Sequence, residues 1–250
     1  MREGIYDLST DPTTFDFITW STIARSNGVD HVHFVIDQGI RTDKYDEVTA
    51  WKRFGNILVP STKLSGLTFT VGSKRDGERF GWHIGEVEAT YKKTGSINKL
   101  KPTAGIGLKN TVSITIRDSI RNKWRDSNKP AWDKFTKHLQ SEGYQVIILN
   151  DCELNPIDIQ WRMAVYSECL MNYGVNSGPM AMCMFSDCPY LIFNMSPKHN
   201  DFNMEEHLTK GGFPKNSQLS FRNKKQLIVW EPDDYETILK HHNRLTKTNT

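Results

Sequence analysis

Short apolar runs alternate with helix-spaced ones from the start of the chain. Gly4–Leu8 (GIYDL) reads as a first strand, broken by Asp11-Pro12. Thr13 or Thr14 is placed to cap a helix carrying Phe15, Phe17, Ile18 and Ile23. Asn27-Gly28 ends that helix, and His31–Asp37 (HVHFVID) is a β-branched run that reads as a buried strand. Tyr45–Phe54 follows as a helix, Asn56–Pro60 (NILVP) as a strand and Leu67–Val71 (LTFTV) as another. Strands separated by helices predict a parallel sheet.

From Gly72 to Gly107 the pattern loosens. SKRDGERFGWHIGEVEATYKKTG is charged and glycine-punctuated, and Lys101–Asn110 (KPTAGIGLKN) reads as the link between two lobes. Beyond it Thr111–Ile116 is a strand. Ala131–Glu142 is a helix with Trp132, Phe135 and Leu139 on one face, stopped by Gly143. Tyr144–Leu149 reads as a buried strand, and Ile159–Tyr173 as a helix with Trp161, Ala164, Val165 and Leu170 as its apolar stripe. Gly174–Asn176, Tyr190–Phe193 and Gln226–Trp230 complete the strands. Pro179–Phe185 and a stretch from about Asp233 complete the helices. The expected architecture is compact α/β with two Rossmann-like lobes facing a cleft, residues 1–107 and residues 108–250, the second closing on the terminal helix.

Composition narrows the class. Of the 250 residues, 37% are apolar and 24% charged, ordinary for a folded chain. No apolar run approaches the roughly 20 residues of a membrane span, and the first residues lack the apolar segment of a signal peptide. Cytoplasmic residence is the expectation, and peripheral membrane contact stays open. The four cysteines form no CxxC pair and read as buried structural thiols, Cys183 and Cys188 making a poor zinc site. A net charge of +3, with no interleaved aromatic and basic signature, gives no reason to expect nucleic acid.

Ligands of open parallel sheets bind beyond the carboxyl ends of the strands. Three such ends carry chemistry. After Thr111–Ile116 come Arg117, Arg121, Lys123 and Arg125, and a guanidinium there can fork onto phosphate oxygens. A solvated charged loop is the competing reading. After Tyr144–Leu149, Asp151 can accept from a ligand hydroxyl or cap a turn. After the strand at Gly174, the turn Asn176-Ser177-Gly178-Pro179 leads into a helix. Gly178 allows close backbone approach, Pro179 fits a first helical turn, and Ser177 adds a hydroxyl. The same residues also make an ordinary helix cap.

The order strand, Ser-Gly-Pro-Met, apolar helix, Pro-Tyr, strand in VNSGPMAMCMFSDCPYLIF resembles the donor lobe of GT-B glycosyltransferases. Heptosyltransferase-like members carry a similar Ser-Gly-Pro-Met turn at the donor diphosphate. The loop after Thr111–Ile116 is similar to that of α1,6-type fucosyltransferases, where an arginine holds the β-phosphate. The resemblance covers roughly residues 108 to 240. It implies a GT-B-like fold, with an acceptor-side lobe over residues 1–107 and a nucleotide-sugar-binding lobe over residues 108–250. It makes Arg117, Arg121, Asn176, Ser177, Gly178, Pro179 and Met180 donor-binding candidates. VWEPDDYETI is similar to the segment that ends such lobes, which adds Glu231 and Asp233 as partners for the sugar or ribose.

The activity implied is metal-independent transfer of a sugar from a nucleotide-diphosphate sugar to a glycan, glycolipid or small acceptor. No cofactor is needed, since positive side chains and a helix terminus would stabilise the leaving diphosphate. Transfer needs a base, and His83 and Asp11 are the candidates, with Glu86 and Asp37 behind them. A histidine beside Trp82 is as readily a structural residue. The first lobe is short and lacks a glycine-rich loop, which leaves room for a non-catalytic nucleotide- or glycan-binding protein of the same fold. A phosphate-ester hydrolase would need an acidic cluster at a strand end, and none follows the strands read here.

Overall fold

A computed structural model of the chain describes residues 1–120, 122–151 and 158–247. Strands β1 (Glu3–Asp7), β2 (His31–Val35) and β3 (Thr68–Gly72) pair in that order, all parallel. Helix α1 (Asp16–Ser26) crosses from β1 to β2 and is buried from Phe17 through Ala24, on every side. Gly28 releases it with φ +89°, the left-handed geometry that glycine adopts without steric cost. Asp46 caps α2 (Glu47–Arg53) by accepting the Thr49 N–H at 2.9 Å.

The expected strand at Asn56–Pro60 does not form. A wide helical turn, Phe54–Leu58, runs straight into α3 (Val59–Ser65). Burial of Ile57, Leu58, Ser61, Thr62, Leu64 and Ser65 follows helical spacing. Pro60 sits in the first turn of α3, where a missing N–H goes unnoticed. Further on, α4 (Ile84–Thr94) fills the stretch whose periodicity looked loose. It buries Val87 and also Glu88, so its inner face is partly ionic and carries little apolar signal.

The second sheet takes β4 (Thr111–Arg117), β5 (Gln145–Asp151), β6 (Asn172–Val175), β7 (Tyr190–Phe193) and β8 (Gln226–Ile228) in the order β5-β4-β6-β7-β8. All four pairings are parallel. The chain leaves β4 by α5 (Lys129–Ser141) to one side and returns by α6 (Ile159–Glu168) to the other. The order therefore reverses at β4, and a crevice opens beyond the carboxyl ends of β4 and β6. As the edge strand, β5 is half exposed along most of its length rather than buried, with Ile148 44% exposed.

Helix α6 ends at Glu168, well short of Tyr173, and Trp161 and Leu170 face solvent instead of forming its apolar stripe. Buried Asn172 explains the break. Its amide donates to the Tyr166 and Pro189 carbonyls, and its oxygen accepts from Ser113 on β4, so the chain is claimed by the sheet. After β6 comes α7 (Met180–Met184), then α8 (Met204–Lys210), unforeseen in the sequence, and α9 (Tyr235–Lys247) after β8.

One apolar cluster joins the two sheets. Tyr6, Phe17, Trp20 and Phe34 of the first half share it with Met163, Tyr166, Met182 and Phe185 of the second. A second cluster lies behind the larger sheet, where Trp132, Phe135 and Leu139 of α5 meet Tyr173 and Ile238. The halves are also tied by Glu88, whose carboxylate accepts from the Ser220 N–H and hydroxyl, each at 2.7 Å. Among the described residues, no helix is long and apolar enough to cross a membrane.

Candidate active site

At the end of β4 the following loop clasps the strand. The Ser127 hydroxyl accepts the Arg117 N–H at 2.9 Å, and the Ser127 N–H returns to the Arg117 carbonyl at 3.0 Å. Asp126 lies 3.7 Å from Arg117 Nε while accepting from the Ser119 N–H and hydroxyl. These contacts hold a mostly buried guanidinium at one position. The same loop reaches the next strand end, where Arg125 Nη2 donates to the Asn176 carbonyl at 3.1 Å.

Asn176 leaves β6 and is committed on three sides. Its N–H goes to the Phe193 carbonyl, its side-chain amide to the Met195 carbonyl at 2.8 Å, and its own carbonyl to Arg125. It fixes the turn. Ser177 comes next, 3% exposed, and its hydroxyl has no hydrogen-bond partner among the described residues. A buried hydroxyl without a partner is costly, and a ligand atom in the cavity would supply one.

These groups line a cavity of about 730 Å³, a size suited to a small ligand. The first half contributes Thr14, Phe15, Asp16, Lys44, Tyr45, Arg53 and the segment Trp82–Ile84. The second contributes Arg117, Trp124, Arg125, Asn176, Ser177, Gly178, Met184, Met195, His199, Phe202 and His207. Lys44, Arg53, Arg117 and Arg125 are the basic side chains with long stems, and Asp16 is the one carboxylate among the described lining residues. Arg53 lies over the Tyr45 ring, 4.4 Å from its centroid, and donates to the Thr13 carbonyl. Asp16 accepts from the Thr14 hydroxyl at 2.6 Å. An anion is the matching ligand.

One wall is a run of rings. Trp124 stands 4.7 Å from His199 and 5.9 Å from Phe202, centroid to centroid. His207 is 5.5 Å from both Phe202 and His83. Such a wall offers faces and edges to a planar or saccharide group.

Of the residues singled out in the sequence, His83, Arg117, Arg125, Asn176, Ser177 and Gly178 line this cavity, and Lys123 does not. Arg121 lies outside the described residues. His83 also stands at the start of α4: its carbonyl accepts the Glu86 N–H at 3.0 Å while the Glu86 carboxylate accepts the His83 N–H at 2.8 Å, so both carry a structural duty. Gly178 has a packing reason: a Cβ there would come within 2.8 Å of Phe15 Cβ, so its closest neighbour is the other half of the chain. The anion-binding helix terminus expected after it is slight, because α7 has five residues and a short dipole.

The other candidates stand elsewhere. Asp11 does not line the cavity: its carboxylate accepts the Asp7 N–H at 2.8 Å and shapes the turn after β1, burial holding its pKa above the usual carboxylate range. Pro179 starts α7 away from the wall, and Met180 is core, packed where Gly174 leaves room. Glu231 pairs with Lys240 at 2.7 Å and His241 at 2.8 Å, and these contacts, Lys240 first, lower its pKa. Asp233 accepts from the Asn128 N–H and Trp132 Nε1, both at 2.8 Å, and joins the starts of α5 and α9. Asp37 accepts the Lys74 N–H at the surface.

Asp16, Lys44, Arg53, Trp124, His199, Phe202 and His207 were not legible as site residues. The signal for Asp16 was present: it closes the same strand-to-helix loop, DLSTDPTTFDF, that contains Asp11.

No protein-family model matches the chain, and comparison with curated protein sequences finds no match. Among solved structures, the chain is similar to the iron-containing dodecameric glycosyltransferase TibC from enterotoxigenic E. coli H10407. The TM-score is 0.56 at 11% identity, over 100% of this chain and 77% of that one. It is similar also to dodecameric heptosyltransferase TibC in complex with ADP-D-β-D-heptose, with TM-score 0.54 and 12% identity over 98% of this chain and 77% of that one. At this identity the likeness is one of fold: α/β with parallel sheets.

Proposed function

We propose that the chain is a glycosyltransferase of GT-B type that moves a sugar from a nucleotide-diphosphate sugar to a glycan, glycolipid or small hydroxylated acceptor. The observation that carries this reading is the cavity at the strand-order reversal, lined by Arg117 and by the buried Ser177 hydroxyl, which has no partner among the described residues. Likeness of fold to an enzyme whose complex holds ADP-heptose supports it.

In this reading the donor diphosphate lies against Arg117 and Ser177, with Lys44, Arg53 and Arg125 setting a positive field. The ring wall at Trp124 and His199 takes the flat or saccharide end. The bond from the sugar's anomeric carbon to the phosphate oxygen breaks, and one to the acceptor oxygen forms. The nucleoside diphosphate leaves with the electron pair, its charge met by the guanidinium of Arg117. Asp16 takes the proton of the acceptor hydroxyl. His83, bound to α4 by its cap, orients the acceptor side. Charge neutralisation by side chains gives the mechanism its independence from a metal.

Thermal melts with ADP, GDP and UDP test this. One of them at a hundredfold excess over its Kd should stabilise the chain by about 2.7 kcal/mol. Arg117→Ala should remove that gain, and Asp16→Asn should keep it while abolishing release of nucleoside diphosphate from the sugar donor. If none of the three nucleotides shifts the melt, the reading fails. Binding without release in the wild type makes the chain a non-catalytic nucleotide-sugar-binding protein.

A further inference from the structure

A second chemical feature lies at the opposite edge of the larger sheet. Helix α5 starts at the carboxyl end of β4 and runs back, so its last turn stands near the beginning of β5. That turn carries His138 and, four residues on, Glu142. Helix α9 packs across it and brings His242. The ligand-capable atoms of these three residues all lie within 4.8 Å of one another, and none of the three lines the cavity described above.

We propose that His138, Glu142 and His242 form a binding site for a divalent transition-metal ion, zinc above all. The two separations to Glu142 are those of a coordination shell. Tetrahedral ligands held about 2.1 Å from zinc stand about 3.4 Å from one another. His138 Nε2 is 3.5 Å from one Glu142 oxygen, and His242 Nε2 is 3.3 Å from the other. Two imidazoles and a carboxylate form a donor set suited to zinc and its first-row neighbours.

The outer contacts point the same way. His242 Nδ1 meets the hydroxyl of buried Tyr173 at 2.7 Å. With Nδ1–H donating to that oxygen, the Nε2 lone pair faces His138 and Glu142, the tautomer a metal requires. The Nε2 atom of His138 is buried and has no hydrogen-bond partner among the described residues. Phe135 flanks both rings, 6.2 Å from His138 and 5.4 Å from His242, and keeps them from turning. Glu142 is exposed, giving an ion entry from solvent. Three protein ligands leave a fourth position to water, and the ion clips α9 onto α5.

The test uses the full chain, stripped with a chelator and titrated with Zn²⁺ by calorimetry and with Co²⁺ by visible absorption. One ion should bind per chain, with the d–d bands of nitrogen and oxygen ligation. His138→Ala and Glu142→Gln change residues that solvent reaches, so both should fold. Each should weaken Zn²⁺ binding at least about tenfold, as losses of even outer contacts do. Zn²⁺ should slow hydrogen exchange in α9 of the wild type and not of either variant. Undiminished affinity in both variants, no saturable binding, or a thiolate charge-transfer band placing Co²⁺ on cysteine would each overturn the proposal. In the first two cases the three residues form a proton-bridged network only.

Discussion

A β-carbon on Gly178 would lie 2.8 Å from the β-carbon of Phe15, closer than side chains tolerate. The turn after β6 and the entrance to α1 therefore meet backbone against side chain, at the floor of the cavity. Gly178→Ala must push the two halves apart there. The expected loss is about 1–3 kcal/mol, the usual cost of overpacking, read from urea unfolding. Nucleoside diphosphate affinity should fall with it, since Phe15 and Ser177 line the same wall.

Ser177→Ala should separate stability from binding. Removing a buried hydroxyl that lacks a partner should leave the melting temperature unchanged or raise it, by up to about 1 kcal/mol of stability. Nucleoside diphosphate binding should weaken by about tenfold, one hydrogen bond to a charged group. Calorimetry beside thermal melts would check both. A large drop in stability would show that the hydroxyl serves the fold.

Asp233→Ala should destabilise the chain without altering nucleotide chemistry. The substitution strands the indole N–H of Trp132, a residue with no exposed surface, and the N–H of Asn128, and also removes the longer contact from the Asn194 amide at 3.4 Å. The two close donors alone, left without acceptors, cost about 2–4 kcal/mol together. Asp233→Asn, which keeps an oxygen for both, should cost less. Equal losses for the two variants would show that the negative charge, rather than the acceptor, matters.

Glu168 gives the link between the halves a pH dependence. Its carboxylate accepts the Leu108 N–H at 2.7 Å and the Ile106 N–H at 2.6 Å, and these bonds, Leu108's first, lower its pKa. A carboxylate with a depressed folded value stabilises the fold above its unfolded pKa and stops doing so as pH falls through the folded one. Protection of residues 105–108 from hydrogen exchange should fade as pH falls below the ordinary range of a free glutamate. Glu168→Gln should show weaker protection at neutral pH and no such fade.

The strands were readable because each is a short β-branched or aromatic run between turn formers, as with Tyr190–Phe193. The same rule misread Asn56–Pro60, where Ile57 and Leu58 serve a helical face and Pro60 opens a helix. Helix α8 escaped notice because Met204 is its one buried residue, which leaves no stripe to detect. At the site, Arg117 and Ser177 were legible because they leave strands directly. Trp124, His199, Phe202 and His207 were not: they come from the segment after β4, the loop after β7 and helix α8, and meet only after folding. Asp11 and Asp16 show the limit from the other side. One loop holds both carboxylates, and only the path of the backbone turns Asp11 into the turn and Asp16 toward the cavity.

The apolar cluster shared by the two sheets constrains how this chain can be made. Phe17 and Trp20 emerge early in synthesis, yet Met182, Phe185 and Ile228, which cover the same core, are translated far later. With all-parallel pairing, every strand must wait for a crossover before it meets its neighbour. During synthesis the first half therefore exposes apolar surface that only the second half covers, the kind of surface that makes a partly made chain prone to aggregate.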